Sequence, residues 1–429
     1  MSKKSGKSGE KRGGGSLAAR VRKGAAFNGI GTAEYASRRA RVLDALDGAV
    51  GLVYAGDGAA PLLGRWTPAA HFAYLTGITD EPGAVLMFDP RSEDARRRVI
   101  LFLRSSDPEL EAWDGLRERI GSSLRIRYGI ETVMRLRMLP RMLTSAARRR
   151  KRLACLHGVS LPDAPVSPDL AMFRRIGERA VGVSIEDRTE LLPAMRSVKS
   201  RDEVVCIERA ASASAAGYRA ALRVIRPGAG EDDVARALVR GFQDAGGDGV
   251  GYNPIVGSGL NSTVLHYMDN RQELVSGDVL LIDAASSWRG YCADITRTYP
   301  VDGRFTKRQR EIYELVLEAQ MAAIDAVRPG AGVWDVDRAA RKVIDKAGFA
   351  DAFMHGTGHH LGMEVHDAEP DGVLAPGNVI TIEPGVYLPD ERLGVRIEDD
   401  ILVTEKGRRN LTESVTKDAK EIERLMRDR

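Results

Sequence analysis

Four acidic residues and one run of histidines are where the chain can do chemistry. Asp283 ends the apolar run VLLIDAA, Asp294 stands in YCADITRTY, Glu383 ends VITIEPG, and Glu398 stands in GVRIEDDILV. A carboxylate at the end of an apolar strand is costly to bury alone, because its charge must leave water. Pairing with Arg289, Arg297 or Arg396 would account for any one of these acids. Four at matched positions call for a stronger cation. They carry too much negative charge for one divalent ion, and bridging carboxylates hold two ions roughly 3.5–4 Å apart in two-metal hydrolases. Two divalent ions per chain are therefore expected. Oxygen-rich ligation without cysteine favours Mn2+, then Co2+ or Fe2+, with Zn2+ also admitted.

The histidines lie mainly in HGTGHHLGMEVHD, residues 355–367, which holds four of the chain's seven. His355 and His359 are four apart, as on a zinc-binding helix, but the order H-G-T-G-H lacks the glutamate of H-E-x-x-H. Gly356, Gly358 and Gly362 also oppose a helix, since each costs about 1 kcal/mol relative to Ala in a helix interior. The stretch is expected to be a turn entering a strand, in which Glu364 and His366 share one face. Spacing alone does not decide which histidine meets a metal.

The elements that must position these groups repeat. IRPGAGEDDVARA (225–237) is matched by VRPGAGVWDVDRA (327–339), and GDVLLID (277–283) by GNVITIE (377–383). His266 and His366 are related by the same hundred-residue offset. In each copy a helix stops at Pro-Gly and another starts after a short turn. Two similar helix-helix-strand-strand halves follow, expected to pack about a pseudo-twofold axis with their acids over one central site. Two copies are too few for an open solenoid.

At 429 residues with 43% hydrophobic side chains, the chain is long enough for two cores. Residues 35–190 alternate apolar runs such as AVGLVYA, GAVLMFDP and RRVILFLR with helical stretches, the pattern of an α/β domain. The expected division is a disordered basic tail over 1–26, an α/β domain over 27–195 and the repeat-containing domain over 199–429. Cys155, Cys206 and Cys292 are read as free, buried thiols. The net charge is +4, much of it from the tail, and ARRRKR (147–152) is read as a solvated helix end, so no nucleic-acid partner is expected. No run of eighteen apolar residues and no signal-peptide segment appears, which predicts a cytoplasmic protein without a membrane partner.

The motifs GYCADITRTYPVDGRFTKRQREIY, HGTGHHLGMEVHD, EPGVY and GVRIEDDI, with AHFAYLTGITDEPGAVLMFDP further upstream, resemble the pita-bread metallopeptidases, most closely the aminopeptidase P branch. The resemblance implies an α/β chain with a creatinase-like N-terminal domain and a C-terminal pita-bread domain. It implies Asp283, Asp294, His359, Glu383 and Glu398 as ligands of a dinuclear centre, with Asp294 and Glu398 bridging. His266 and His366 would flank the substrate, His355 would line the pocket, and Arg396 would support the ligands from behind. His360 is read as a packing or surface residue. The implied reaction removes the first residue from peptides with proline in second position, by attack of a metal-bridging hydroxide, with Glu383 as general base and His266 and His366 assisting. The alternatives are a prolidase acting on Xaa-Pro dipeptides and, from another class, an inactive peptide-binding pita-bread module. A homo-oligomer, dimer or tetramer, is expected, although Ala73 stands where some bacterial relatives carry a bulky aromatic thought to reach a neighbouring subunit.

Overall fold

The computed structural model describes residues 29–56, 66–158, 161–369 and 372–428. The basic tail expected over 1–26 lies outside them. The chain divides into two compact units, which meet between Leu191 and Leu192.

In the first unit, helices α1 (Thr32–Ala45), α2 (Ala70–Thr76), α3 (Pro108–Asp114), α4 (Ser122–Tyr128), α5 (Leu139–Arg150) and α6 (Pro168–Gly177) accompany one sheet. Its strands β1 (Val50–Tyr54), β2 (Val85–Phe88), β3 (Val99–Leu103), β4 (Thr132–Arg135), β5 (Arg152–Cys155) and β6 (Ser184–Asp187) lie in the order β4-β3-β2-β1-β5-β6. The central sequences VGLVY, VLMF and VILFL read as unbroken apolar runs because helices cover them, and Val50, Leu52, Val85, Met87, Ile100 and Phe102 pack with Leu139 and Leu143 of α5. The basic run 147–152 ends α5, where Arg149 and Arg150 pair with Asp89. Ala73 is buried in α2.

A short helix, α7 (Leu191–Ser197), leads into the second unit. There the repeat seen in sequence is a repeat in space. The first half holds α8 (Arg201–Leu222), α9 (Glu231–Asp244), β7 (Gly249–Val250), β8 (Ile255–Ser258), β9 (Val279–Asp283), β10 (Ser286–Trp288), β11 (Tyr291–Cys292) and β12 (Thr296–Pro300). The second holds α10 (Lys307–Ala326), α11 (Val333–Lys346), β13 (Val379–Ile382), β14 (Gly385–Leu388), β15 (Leu393–Arg396), β16 (Asp399–Thr404) and β17 (Gly407–Asn410), with α12 (Ala419–Arg427) closing the chain.

The two RPGAG turns are built alike. Gly228 N–H donates to Leu274 O at 2.9 Å, and Gly330 N–H donates to Leu374 O at 2.8 Å. Both glycines have φ near +80°, which explains why glycine recurs there. The next helices start alike too: Gly230 N–H donates to Asp233 and Gly332 N–H to Asp335. One residue of each long helix reaches the same point of its half, for Tyr218 donates to Ile282 O and Gln320 to Ile382 O, both at 3.2 Å. Helix α9 buries Val234, Leu238, Gly241 and Phe242, a face set by 3.6-residue periodicity. One core serves both halves, taking Leu280 and Ile282 from the first and Ile380 and Ile382 from the second.

Strands β9 and β12 pair antiparallel with Asp283 opposite Thr296, and β13 pairs with β16 so that Ile382 faces Asp399. The halves join where Glu398 N–H donates to Thr296 O at 3.1 Å and Asp294 N–H donates to Asp400 at 3.2 Å. All three cysteines are free and buried. Among the described residues no helix is long and apolar enough to cross a membrane.

One expectation fails in part. The stretch 355–367 enters a strand-like pairing only over 357–361, where Leu361 N–H donates to Val379 O, Thr381 N–H to His359 O and Glu383 N–H to Thr357 O, and this pairing does not extend to Glu364 or His366. Residues 357–361 run along β13, and Gly358 lies so close that a Cβ there would stand 1.9 Å from Thr381 O. The chain then bends away, sending Glu364 to Arg196 at 2.6 Å while His366 stacks on His359 with centroids 3.9 Å apart. Glu364 and His366 therefore do not share a strand face.

Candidate metal centre

Strand ends deliver the acids. Asp283 is the last residue of β9, Asp294 enters β12, Glu383 follows β13, and Glu398 lies between β15 and β16. With His359 they line a single cavity of about 500 Å³, together with His266, His355, His366 and Arg396. All nine residues singled out from sequence thus meet in one place, from stretches more than a hundred residues apart. The tightest group is Asp294, His359 and Glu398, each of which offers a ligand atom within 4.8 Å of the others. His359 Nε2 also lies 3.7 Å from Glu383 Oε1.

The electrostatics of this group are those of a cation site. Burial, then the neighbouring acids Asp283 and Asp400, pushes Asp294 well above the usual carboxylate range; burial, Asp294 and Glu383 do the same to Glu398. Glu383 is pushed up to about 8 by burial, with Arg396 opposing. His359 is held down to about 4 by burial, so at neutral pH its ring is uncharged and its 3.6 Å approach to Asp294 is not an ion pair. Its Nδ1 lies 3.1 Å from His360 O, an acceptor only, so Nδ1 carries the proton and Nε2 turns a lone pair toward the carboxylates. A lone pair facing carboxylate oxygens makes sense with a cation between them. The donor set of four carboxylates and one imidazole fits hard or borderline divalent ions.

Arginine and tyrosine brace the acids. Arg396 donates to Asp283 at 2.6 Å, to Thr296 Oγ1 at 3.2 Å and to the Tyr387 hydroxyl at 3.0 Å. Thr296 passes its own proton to Glu398 at 2.6 Å. Gly356 O only accepts, so the His355 proton sits on Nδ1 facing it, and the neutral ring's Nε2 accepts from the Tyr387 hydroxyl at 2.8 Å. Burial, followed by Arg396, holds His355 down to about 4. His360, read from sequence as packing or surface, is buried.

Sequence reasoning missed several of these partners. The Tyr252 hydroxyl lies 2.5 Å from both Asp283 and Asp294. One hydroxyl carries one proton, so without a cation one of the two carboxyls must itself be protonated. Nothing in GYNPIV signals this. Thr296 was open to discovery, because it alternates with Asp294 and so shares its face. Behind the site Arg297 joins Asp399 at 2.7 Å and donates to Glu398 O, while Lys417 reaches Asp399 at 2.5 Å.

The comparisons with known proteins agree with this geometry. The profile of metallopeptidase family M24 matches residues 205–405, and that of the aminopeptidase P N-terminal domain matches residues 35–155. The chain belongs to metallopeptidase family M24, which implies divalent metal ions, and Asp294, His359 and Glu398 form a group able to hold one. Within it, the relatives are of the aminopeptidase P kind. An Xaa-Pro aminopeptidase of Haemophilus influenzae is 34% identical over 83% of this chain and 87% of its own length. That of Escherichia coli is 34% identical over 83% of this chain and 88% of its own. The solved structure of Escherichia coli aminopeptidase P with the inhibitor Pro-Leu superposes with a TM-score of 0.83 at 31% identity, covering 93% of this chain and 99% of that one. The fold is thus an N-terminal aminopeptidase P-type α/β domain followed by a pita-bread domain, and the protein is a metal-dependent aminopeptidase acting on peptides.

Proposed function

We propose that the substrates are peptides with proline in second position, and that Asp283, Asp294, His359, Glu383 and Glu398 hold two divalent ions, Mn2+ foremost. The observation that carries this reading is the convergence of those five side chains, with Asp294, His359 and Glu398 close enough to share one ion. Bound divalent ions give such a site Lewis-acid character and acidify water near neutral pH.

The chain's own residues supply the rest. Glu383 borders the cavity beside His359 and serves as general base toward the attacking water, returning the proton toward the leaving nitrogen. His266 and His366 stand exposed at the cavity wall and donate hydrogen bonds to the oxyanion that develops at the scissile carbonyl. His355 is fixed by Tyr387 and lines the pocket. Arg396 orients Asp283 and, through Thr296, Glu398. An Xaa-Pro amide is tertiary and has no N–H, so recognition falls to the ring and the free amino terminus. A cytoplasmic location and a homo-oligomeric state belong to the same proposal, checked by cell fractionation and light scattering.

The test is an assay of Mn2+-loaded protein on Gly-Pro, Arg-Pro-Pro-Gly and Met-Ala-Ser. Release of arginine from the tetrapeptide is expected. Cleavage of the dipeptide alone would make the protein a prolidase, and cleavage of Met-Ala-Ser alone would make it a methionine-removing enzyme.

A further inference from the structure

The first half of the repeat contains a buried acid that neither binds metal nor faces the substrate. Glu231 opens α9 and is fully buried. Its carboxylate accepts five hydrogen bonds. Oε1 takes them from Ser258 N–H and Ser258 Oγ, both at 2.8 Å, and from the Asn261 amide at 3.2 Å; Oε2 takes them from the Tyr267 hydroxyl and Gln272 N–H, both at 2.9 Å. A buried carboxylate at a helix N-terminus with this many donors is well satisfied without a cation.

Every one of those donors lies in residues 258–272, which run from the last residue of β8 toward β9 and carry His266. His266 itself is exposed, but its neighbours are pinned: Leu265 and Tyr267 pack against Ile255, Leu281 and Tyr387. Tyr267 is therefore tied from both sides, by apolar contact through its ring and by Glu231 through its hydroxyl. The second half uses the same device. Asp337 on α11 accepts from Thr357 N–H at 3.1 Å and Thr357 Oγ1 at 2.8 Å, in the stretch that bears His355 and His359.

We infer that Glu231 is a positioning residue for the reaction, holding His266 at the cavity wall through Tyr267. The inference rests on the reading of His266 as a group that faces the reacting amide. Glu231→Gln keeps the shape but turns one acceptor atom into a donor, so the donors on that atom lose their partner. With outer partners of active-site groups typically affecting activity 10–100-fold, kcat/KM for Arg-Pro-Pro-Gly should fall about tenfold.

The test is a cycle of wild type, Glu231→Gln, His266→Ala and the double variant, each with bound Mn2+ measured by elemental analysis. If Glu231 acts through His266, its loss adds less than about twofold in the His266→Ala background, with Mn2+ content unchanged. An equal fall in both backgrounds, or a fall that follows lost Mn2+, overturns the inference while leaving the functional reading intact. Full activity of His266→Ala overturns the reading of His266 as well. Should Glu231→Gln not fold, Tyr267→Phe cuts the same link at the other end and is judged by the same two factors.

Discussion

Removing the metal should expose a fall in stability as pH rises above 6.5. Without a cation, burial holds Glu383 at about 8 against an ordinary 4.5. The folded state then binds a proton that the unfolded chain releases, so this stabilisation is complete below about pH 4.5 and is lost as pH rises to 8. His355, His359 and His360 act oppositely. Burial holds each at about 4 against an ordinary 6.5, so the unfolded chain binds protons that the folded one refuses. Their contribution is complete above pH 6.5 and is lost as pH falls toward 4. Above pH 6.5 the histidines add nothing further while the acids still release protons, so stability should fall there. From there to pH 8, about 1.5 pH units at about 1.36 kcal/mol per unit remove about 2 kcal/mol through Glu383, and Asp294 and Glu398 act in the same direction. For a unit of this size, 2 kcal/mol corresponds to roughly 4–8 °C in Tm. Thermal melts of chelator-treated protein at pH 5, 6.5 and 8 measure it. Saturating Mn2+ should abolish the fall above pH 6.5, because the ions take the place of the protons. A metal-free Tm that is level or rises between pH 6.5 and 8 would refute the reasoning.

Two substitutions probe the bracing of the site. Burial works to raise Asp399, but Arg297 and Lys417 outweigh it and hold the carboxyl at about 2. Asp399→Asn leaves Arg297 buried without its counter-charge and should cost about 3–5 kcal/mol, read as a lower Tm at pH 7; a Tm within about a degree of wild type would contradict this. Thr296→Val deletes the donor to Glu398 and the acceptor for Arg396, and should weaken Mn2+ binding roughly tenfold in a chelator competition, with unchanged affinity counting against it.

The site was legible in the sequence to the extent that it is symmetric. Repeated RPGAG turns and matched strand ends gave the two halves, and the offset between Asp283 and Glu383 pointed to acids meeting across an axis. What stayed hidden depends on contacts without periodicity. Tyr252 reaches two carboxylates from an unpatterned turn, and Lys417 reaches Asp399 from the far end of the chain. Spacing also misjudged 355–367. The glycines did argue against a helix, but they serve close passage along β13 and a reversal beyond it, which no alternation rule describes. In sequence Glu231 looks like an ordinary first-turn helix acid and Asp337 like an ordinary acid one turn further in; only their burial and their partners give them a role.

The most direct measurement is bound metal per chain against activity on Arg-Pro-Pro-Gly during a Mn2+ titration of chelator-treated protein. The proposed centre predicts that activity reaches its plateau as occupancy approaches two ions per chain, and that Asp294→Ala holds fewer than two and loses activity. Full activity with fewer than one ion per chain would contradict a dinuclear centre.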